Sequence, residues 1–176
     1  MVHQKLTRQA RSSQTSPLYF LYLPYFRNTL LHKLLSDGHC LRSRGRLSDA
    51  AYRFEYALKR ISAVSSGRGE GKNPPQVEEI KCKLLLALSQ TLCEEGKYAD
   101  AVDRAGMIPP GSACRAEALA VRARAKAEGG GDVSGAQADV REAIRLDPEN
   151  ARLHEFSKNL RGLEFPLDNV IEEDIQ

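Results

Sequence analysis

The sequence predicts an all-α protein, an α-α superhelix of three helical hairpins followed by a C-terminal capping helix. From residue 28 onward, apolar residues recur at the spacing that places them on one face of a helix. Glycines interrupt this pattern at Gly45, at Gly96 and at 129–131, and each interruption is followed by a similar series of small and large residues. Such self-similarity is typical of repeat proteins, whose units bury their apolar faces only against one another.

The series that follows each glycine indicates how two helices pack into a hairpin. A small alanine at the helix crossing lets the two backbones approach closely, and the larger residue one turn later fills the neighbouring groove. A glycine in the turn accepts the left-handed backbone that ends the first helix, and Asp147-Pro148 ends the last hairpin. The three series are Leu47, Ala50, Phe54 and Ala57; Tyr98, Ala101 and Ala105; and Val133, Ala136, Val140 and Ala143.

These residues resemble the tetratricopeptide repeat (TPR), a helical hairpin of about 34 residues. The resemblance covers about residues 30–163 and is carried in the first repeat by Gly38 before the turn and Phe54 after it. The sequence departs from the TPR pattern at Asp37, where an apolar residue is expected, in the early end of the second hairpin at 107–110, and in an extra glycine in the third turn. The resemblance implies that the first helix of each hairpin, the A helix, lines a concave groove for a protein partner.

The domain boundaries follow from the repeat spacing and from composition. Gly96 and Gly131 are 35 positions apart, close to one TPR, whereas Gly45 and Gly96 are 51 apart. The excess is a polar, Gly/Ser/Pro-rich run, which we expect to be a mobile insertion between the first two repeats. The predicted segments are a flexible basic segment at 1–27, a TPR-like domain at 28–163 with the insertion at 62–76 and a capping helix at 149–163, and an acidic tail at 164–176.

Composition predicts a soluble protein of a reducing compartment. The net charge of +3 is small for a nucleic-acid-binding domain. Four cysteines without a Cys-x-x-Cys pair predict free thiols, and the one concentrated apolar run is interrupted by Pro24 and too short to span a membrane. We predict a cytoplasmic protein; a mitochondrial presequence is the alternative interpretation of the basic, Ser-rich residues 1–16.

Catalysis is not expected, because no nucleophile, base and orienting group stand in a recognisable pattern. His32 and His39 lie seven residues apart on one helical face with Cys40 beside the second, and a metal site is the alternative interpretation of this cluster. No fourth ligand has recognisable spacing, so we predict neither a metal nor a cofactor. The two histidines are predicted to face the groove instead.

The predicted site is the concave surface of the three A helices, whose side chains at fixed positions converge on a bound peptide or protein surface. We expect this groove to be mildly basic with apolar patches and to serve an adaptor or scaffold. Solvated helix faces without a ligand are the alternative. The predicted groove residues are His32, Leu35, His39 and Arg42 of the first repeat; Lys83, Leu86, Ala87 and Gln90 of the second; and Arg122 or Arg124 of the third.

Further resemblances concern the kind of TPR domain. The segments 52–59 and 121–126, with the long first spacer, are similar to the TPR region of TANC-type scaffold proteins, and the TPR region of certain CCCH zinc-finger, RNA-associated proteins has a similar spacer. TPR domains that grip the C-terminal carboxylate of chaperone tails do so with Lys, Asn and Arg side chains. Leu35, His39 and Ala87 stand at three of those positions here. We therefore predict a scaffold module, with an RNA-associated regulator or a chaperone cofactor as the alternatives.

Two further segments of the sequence are distinguished by their charge. Arg122, Arg124 and Lys126 suggest nucleic acid, but no aromatic residue interleaves them for base stacking, so we do not predict a nucleic-acid partner. The acidic tail alternates apolar residues with acids, and we predict that it is a ligand, held by its own groove or by a neighbouring molecule. In its own groove it would compete with outside partners. A frayed acidic terminus is the alternative.

Overall fold

The computed structural model describes residues 17–66 and 73–164, with side chains described for 28–63 and 73–160. Over these ranges the chain is all-helical and contains no strand, which confirms the predicted fold class. The helices are α1 (Pro17–Ser43), α2 (Leu47–Ser66), α3 (Pro75–Glu94), α4 (Tyr98–Gly106), α5 (Arg115–Gly130), α6 (Val133–Leu146) and α7 (Ala151–Glu164). None of these described helices combines the length and apolar character needed to cross a membrane.

Consecutive helices run antiparallel and form stacked hairpins. The Ser48 hydroxyl at the start of α2 donates a hydrogen bond to Glu95, just after the end of α3, over 2.7 Å. Arg42 near the end of α1 bonds to Glu94 at the end of α3, so these two A helices run parallel. The A helices α1, α3 and α5 therefore pack side by side, each against the B helix that follows it (α2, α4 or α6), and α7 packs on α6.

Each A helix ends at a glycine with left-handed backbone. The φ angles of Gly45, Gly96 and Gly131 are 74°, 76° and 64°, a region that glycine occupies without a steric penalty. The amide after Gly45 or Gly96 donates to the carbonyl oxygen five residues before it, whereas the amide of Asp132 donates to Lys126, six residues before it. The third turn therefore contains one extra residue.

The small residues of the repeat lie where the helices come closest. Ala50, Ala101 and Ala136 are completely buried, as the hairpin pattern requires. Phe54 of α2 is also completely buried and packs against Gly38 of α1, where an added Cβ would overlap the aromatic ring. Because protein interiors have little free volume, the first hairpin needs glycine at this crossing.

The second hairpin is shorter than the others, as predicted. Helix α4 has nine residues and ends at Gly106, and the connection that follows takes over part of its packing. Ile108 of this connection is 1% exposed and packs with Leu85 and Leu86 of α3. Arg115 at the start of α5 donates from Nη1 to the Ile108 carbonyl oxygen over 2.9 Å and so holds the connection in place.

The first helix begins earlier than the sequence predicted. Its start at Pro17 lies within the segment 1–27 that was predicted to be flexible. Proline suits the first turn of a helix, because its missing N–H has no partner there in any case. The pattern of apolar residues pointed to 28 because Pro24 interrupts it.

The other predicted boundaries differ from the observed helix ends by a few residues. Helix α2 extends to Ser66 and α3 begins at Pro75, so the predicted insertion at 62–76 overlaps both helices and only its part at 67–72 lies outside the described residues. The capping helix occupies Ala151–Glu164. Residues 1–16 and 165–176, which include most of the predicted acidic tail, also lie outside the described residues.

Candidate binding groove

The three A helices share one register, and this register identifies their equivalent positions. Each carries a buried small residue (Gly38, Ser89 or Ala123) seven positions before a turn glycine, which is Gly130 in the third repeat because of the extra residue. Ser89 and Ala123 are completely buried. The residues that follow these small residues occupy equivalent positions on the exposed side: His39, Gln90 and Arg124.

Arg42 joins α1 to α3. Its Nη1 donates to Oε1 of Gln90 over 2.7 Å, and its Nη2 and Nε donate to the Glu94 carboxylate over 2.6 and 3.0 Å. A guanidinium that uses two nitrogens on one carboxylate is fixed in orientation as well as in position. The exposed sides of α1 and α3 therefore form one continuous surface.

The same surface continues toward the start of α3. Lys83 Nζ lies 2.6 Å from Oε1 of Glu79, and both side chains are exposed. The hydrogen bond and charge of Lys83 lower the pKa of Glu79, and the nearby His32 ring lowers it further when the ring is protonated. His32 of α1 therefore lies near Glu79 of α3, so the two helices also interact electrostatically at this end.

Helix α5 extends the surface on the other side of α3. Arg124 Nε lies 2.8 Å from Oε1 of Glu128 on the same helix. This hydrogen bond raises the pKa of Arg124 against the effect of burial, and the negative charges of Glu128 and of Glu94 on α3 raise it further. Arg124 thus faces the end of α3 to which Arg42 is bonded.

Several predicted groove residues lie beneath this surface or away from it. Ala87 belongs to the main core, Leu86 is buried, and Leu35 is half-buried against the core. Arg122 turns toward α6, where its Nε and Nη2 donate to Asp139 over 2.8 and 2.5 Å. Because Arg122 sits one position before the buried small residue, it faces the B helix, and Arg124 is the arginine of α5 on the exposed side.

The exposed surface carries carboxylates that the sequence analysis did not assign to it. Among the described residues, Arg42, Lys83 and Arg124 of this surface each have a carboxylate partner, so these charges balance, whereas the sequence predicted a mildly basic groove. Two of the pairs are four residues apart on one helix, a spacing visible in the sequence. The surface, which we term the A-helix face, consists of His32, His39, Arg42, Glu79, Lys83, Gln90, Glu94, Arg124 and Glu128.

His39 shows how the A-helix face rests on the core. Its ring is 5.6 Å from the Phe54 ring at an interplanar angle of 65°, an edge-to-face contact. Burial lowers the pKa of His39, and the charge of Arg42 lowers it further, so the imidazole is neutral at pH 7. Within the described residues, no group of three or more His, Cys, Asp or Glu side chains is placed to hold a metal ion, so the metal-site interpretation of His32, His39 and Cys40 gains no support.

Comparison with known proteins identifies the fold. No family model matches the sequence. The structure is similar to the C-terminal TPR-containing domain of an FK506-binding protein from Plasmodium falciparum, with a TM-score of 0.64 and 15% sequence identity over 77% of this chain and 89% of that domain. At this identity the similarity shows the fold alone, and the fold is the TPR-like superhelix that the sequence predicts. Folds of this class present extended surfaces for protein interaction.

Proposed function

We propose that the A-helix face binds an extended segment of a partner protein, and that the chain serves as a non-catalytic adaptor or scaffold. The TPR-like fold supports a protein-interaction module in general. The observation that carries the proposal is the row of polar side chains across three parallel helices, in which Arg42, Gln90 and Glu94 hold one another. Such bonds fix several hydrogen-bonding groups before a ligand arrives, which lowers the entropy cost of binding.

The pairing of charges on the A-helix face suggests which ligand it accepts. An acidic ligand has to compete with Glu79, Glu94 and Glu128 for the cations of the face. A ligand of low net charge can instead use groups that are themselves uncharged, such as Gln90 and the neutral His39. We therefore propose an extended and largely uncharged peptide, bound through its backbone amides and a few apolar side chains.

We also propose the class of protein to which the chain belongs. The sequence resemblance favours a TANC-type scaffold, with the TPR region of an RNA-associated regulator as the alternative. A chaperone cofactor is disfavoured, because Leu35 and His39 replace polar clamp residues and Ala87, at a third clamp position, is buried.

Selection from a random peptide library on the full chain, followed by calorimetry with the selected peptide, tests the proposal. Gln90→Ala and His39→Ala are each expected to weaken binding about fivefold to tenfold, the usual loss for one hydrogen bond. Arg145→Ala, on an exposed position of α6, is the matched control and should leave the affinity unchanged. The proposal fails if no peptide is selected, or if the selected peptides bind both groove variants as tightly as the original chain.

A further inference from the structure

A second surface lies on α2, on the outside of the first hairpin. Its residues recur at intervals of three and four positions, which places their side chains on one side of the helix. All of them are exposed, and Tyr52, at 66%, is the most exposed large apolar side chain among the described residues. These residues form what we term the tyrosine-basic face: Tyr52, Arg53, Tyr56, Lys59 and Arg60.

The cations of the tyrosine-basic face are not neutralised, in contrast to those of the A-helix face. Among the described residues, Arg53 and Lys59 make no ion pair. Arg60 lies over the Tyr56 ring, with its guanidinium carbon 5.8 Å from the ring centre. The Glu55 carboxylate of the same helix points to α4 and pairs there with an arginine. The face therefore combines a net positive charge with two exposed aromatic rings.

A cavity of about 350 Å³ opens at the start of this face. Leu41 of α1 lines it together with Arg46, Asp49, Tyr52 and Arg53 of the turn and α2. Arg46 and Asp49 bond to each other over 2.7 Å, which leaves Arg53 as the free cation of the cavity within the described part of the chain. An apolar side chain with acidic neighbours matches this lining, because the side chain can contact Leu41 and Tyr52 while an acid meets Arg53.

We propose that the acidic segment 165–176 of this chain docks on the tyrosine-basic face. Three segments lie outside the described residues, and their charges distinguish them. Residues 1–16 carry three basic residues and no acid, and 67–72 carry more basic than acidic residues. Only 165–176 is acidic, with four acids and no base among apolar residues. Arginine and tyrosine are also the residues that most often dominate protein-protein interfaces, which favours a protein segment as the occupant.

The direction of the helices brings the segment to the correct edge of the molecule. Leu153 near the start of α7 shares an apolar cluster with Ala143 near the end of α6, and Leu160 shares one with Ala136 near the start of α6, so α7 runs antiparallel to α6 and parallel to the A helices. Helix α7 therefore ends at the edge where α1 ends, which is also the edge that holds the cavity.

The length of the segment decides which part of it can bind. Three helix spacings of about 8 to 10 Å separate α7 from α1, so the segment must cross roughly 25 to 30 Å. An extended chain of twelve residues reaches about 40 Å. At about 3.3 to 3.6 Å per residue, the crossing takes about seven to nine residues. Phe165 and Leu167 therefore lie within the crossing, and the part that arrives is about 172–176, which holds Glu172, Glu173 and Asp174 next to Ile175.

This site differs from the groove that the sequence analysis assigned to the acidic tail. On the A-helix face the segment would have to displace Glu79, Glu94 and Glu128 from their cations. On the tyrosine-basic face the cations Arg53 and Lys59 have no carboxylate to displace within the described residues. The electrostatic gain is therefore larger on α2.

The test uses a labelled peptide of residues 165–176 and full chains that keep or lack the acids of the segment. Glu172→Gln, Glu173→Gln and Asp174→Asn together neutralise the tethered segment without shortening the chain. We expect the peptide to bind this neutralised chain saturably, and to bind the original chain at least tenfold more weakly, because a tethered segment competes at an effective concentration of about millimolar. Raised salt should weaken the binding.

Two variants of the neutralised chain locate the site. Arg53→Ala with Lys59→Ala should weaken peptide binding at least tenfold, whereas Arg124→Ala on the A-helix face should leave it unchanged. Circular dichroism establishes that both variants remain folded. The proposal is overturned if the peptide does not saturate by about 1 mM, the effective concentration of the tether. It is also overturned if the original and neutralised chains bind the peptide equally, or if Arg124 is required and Arg53 with Lys59 are not.

Discussion

Arg122 of α5 donates two hydrogen bonds to Asp139 of α6, from Nε over 2.8 Å and from Nη2 over 2.5 Å. The Asp139 side chain is 7% exposed, and Lys126 Nζ lies 2.9 Å from its Oδ2, the oxygen that also accepts from Arg122 Nε. The third hairpin is thus closed by one buried carboxylate and two cations. From the sequence alone, Arg122 was predicted to bind a ligand. Its contacts in the structure indicate instead that Arg122 stabilises the third hairpin.

The first prediction concerns Arg122. Arg122→Ala is expected to lower the free energy of unfolding by about 2 to 3 kcal/mol, because Asp139 stays buried and loses two charge-assisted hydrogen bonds. Arg124→Ala is the matched control two residues away, and loss of its exposed pair with Glu128 should cost less than about 0.5 kcal/mol. Denaturant titration measures both values. Equal losses in the two variants would contradict the structural role of Arg122.

The second prediction concerns acid stability. Burial raises the pKa of Asp139, but the hydrogen bonds and charges of Arg122 and Lys126 outweigh it, so the pKa lies below the ordinary value of 3.8. Below about pH 4 the unfolded chain binds a proton at the Asp139 carboxyl more readily than the folded chain does. The charged carboxylate therefore stabilises the fold at higher pH. This contribution is lost as the pH falls through the folded pKa. We expect Asp139→Asn to show a shallower loss of stability between about pH 5 and pH 2 than the original chain. Thermal melts across this range provide the measurement, and parallel curves for the two proteins would count against the prediction.

The third prediction concerns the closest helix crossing. Gly38→Ala should lower the free energy of unfolding by about 1 to 3 kcal/mol, because the added Cβ overlaps Phe54 and this strain exceeds the helix propensity gained. Gly106→Ala is the control, since no atom lies within 4 Å of its Cβ position and its φ is not positive. That change should stabilise the protein by about 0.5 to 1 kcal/mol. A more stable Gly38→Ala variant would show that α1 and α2 are less tightly packed than described.

The fourth prediction concerns chaperone tails. A peptide that ends in acidic residues and a free carboxylate should bind more weakly than about 1 mM, because the clamp positions hold Leu35, His39 and the buried Ala87. Charge-assisted hydrogen bonds contribute about 1.5 to 3 kcal/mol each, so the loss of several removes orders of magnitude in affinity. Calorimetric titration of the full chain gives the answer. Low-micromolar binding that depends on the terminal carboxylate would show that the assignment of these positions is wrong.

The hairpins could be predicted because their determinants are close together in the sequence. Gly45 and Gly96 mark the turns, and Ala50 and Ala101 follow at the positions where helices must touch. The start of α1 could not be predicted in this way, because Pro24 falls within the helix and interrupts the pattern that defines it.

The candidate site was less predictable, because it depends on small rotations along a helix. A single extra residue in the third turn decides whether Arg122 or Arg124 lies on the exposed side. On α3, Ala87 is buried in the core whereas Gln90 is bonded to Arg42 at the surface. The bond between Arg42 and Glu94 joins residues 52 positions apart, and no local pattern contains it.

Binding of the partner on the A-helix face can be measured by photo-crosslinking with a peptide selected on the full chain. A photoreactive amino acid is placed at Gln90 in one chain and at Arg145, on α6, in another. We expect a covalent adduct with the peptide from position 90 and none from position 145. An adduct from position 145, with none from position 90, would contradict this expectation.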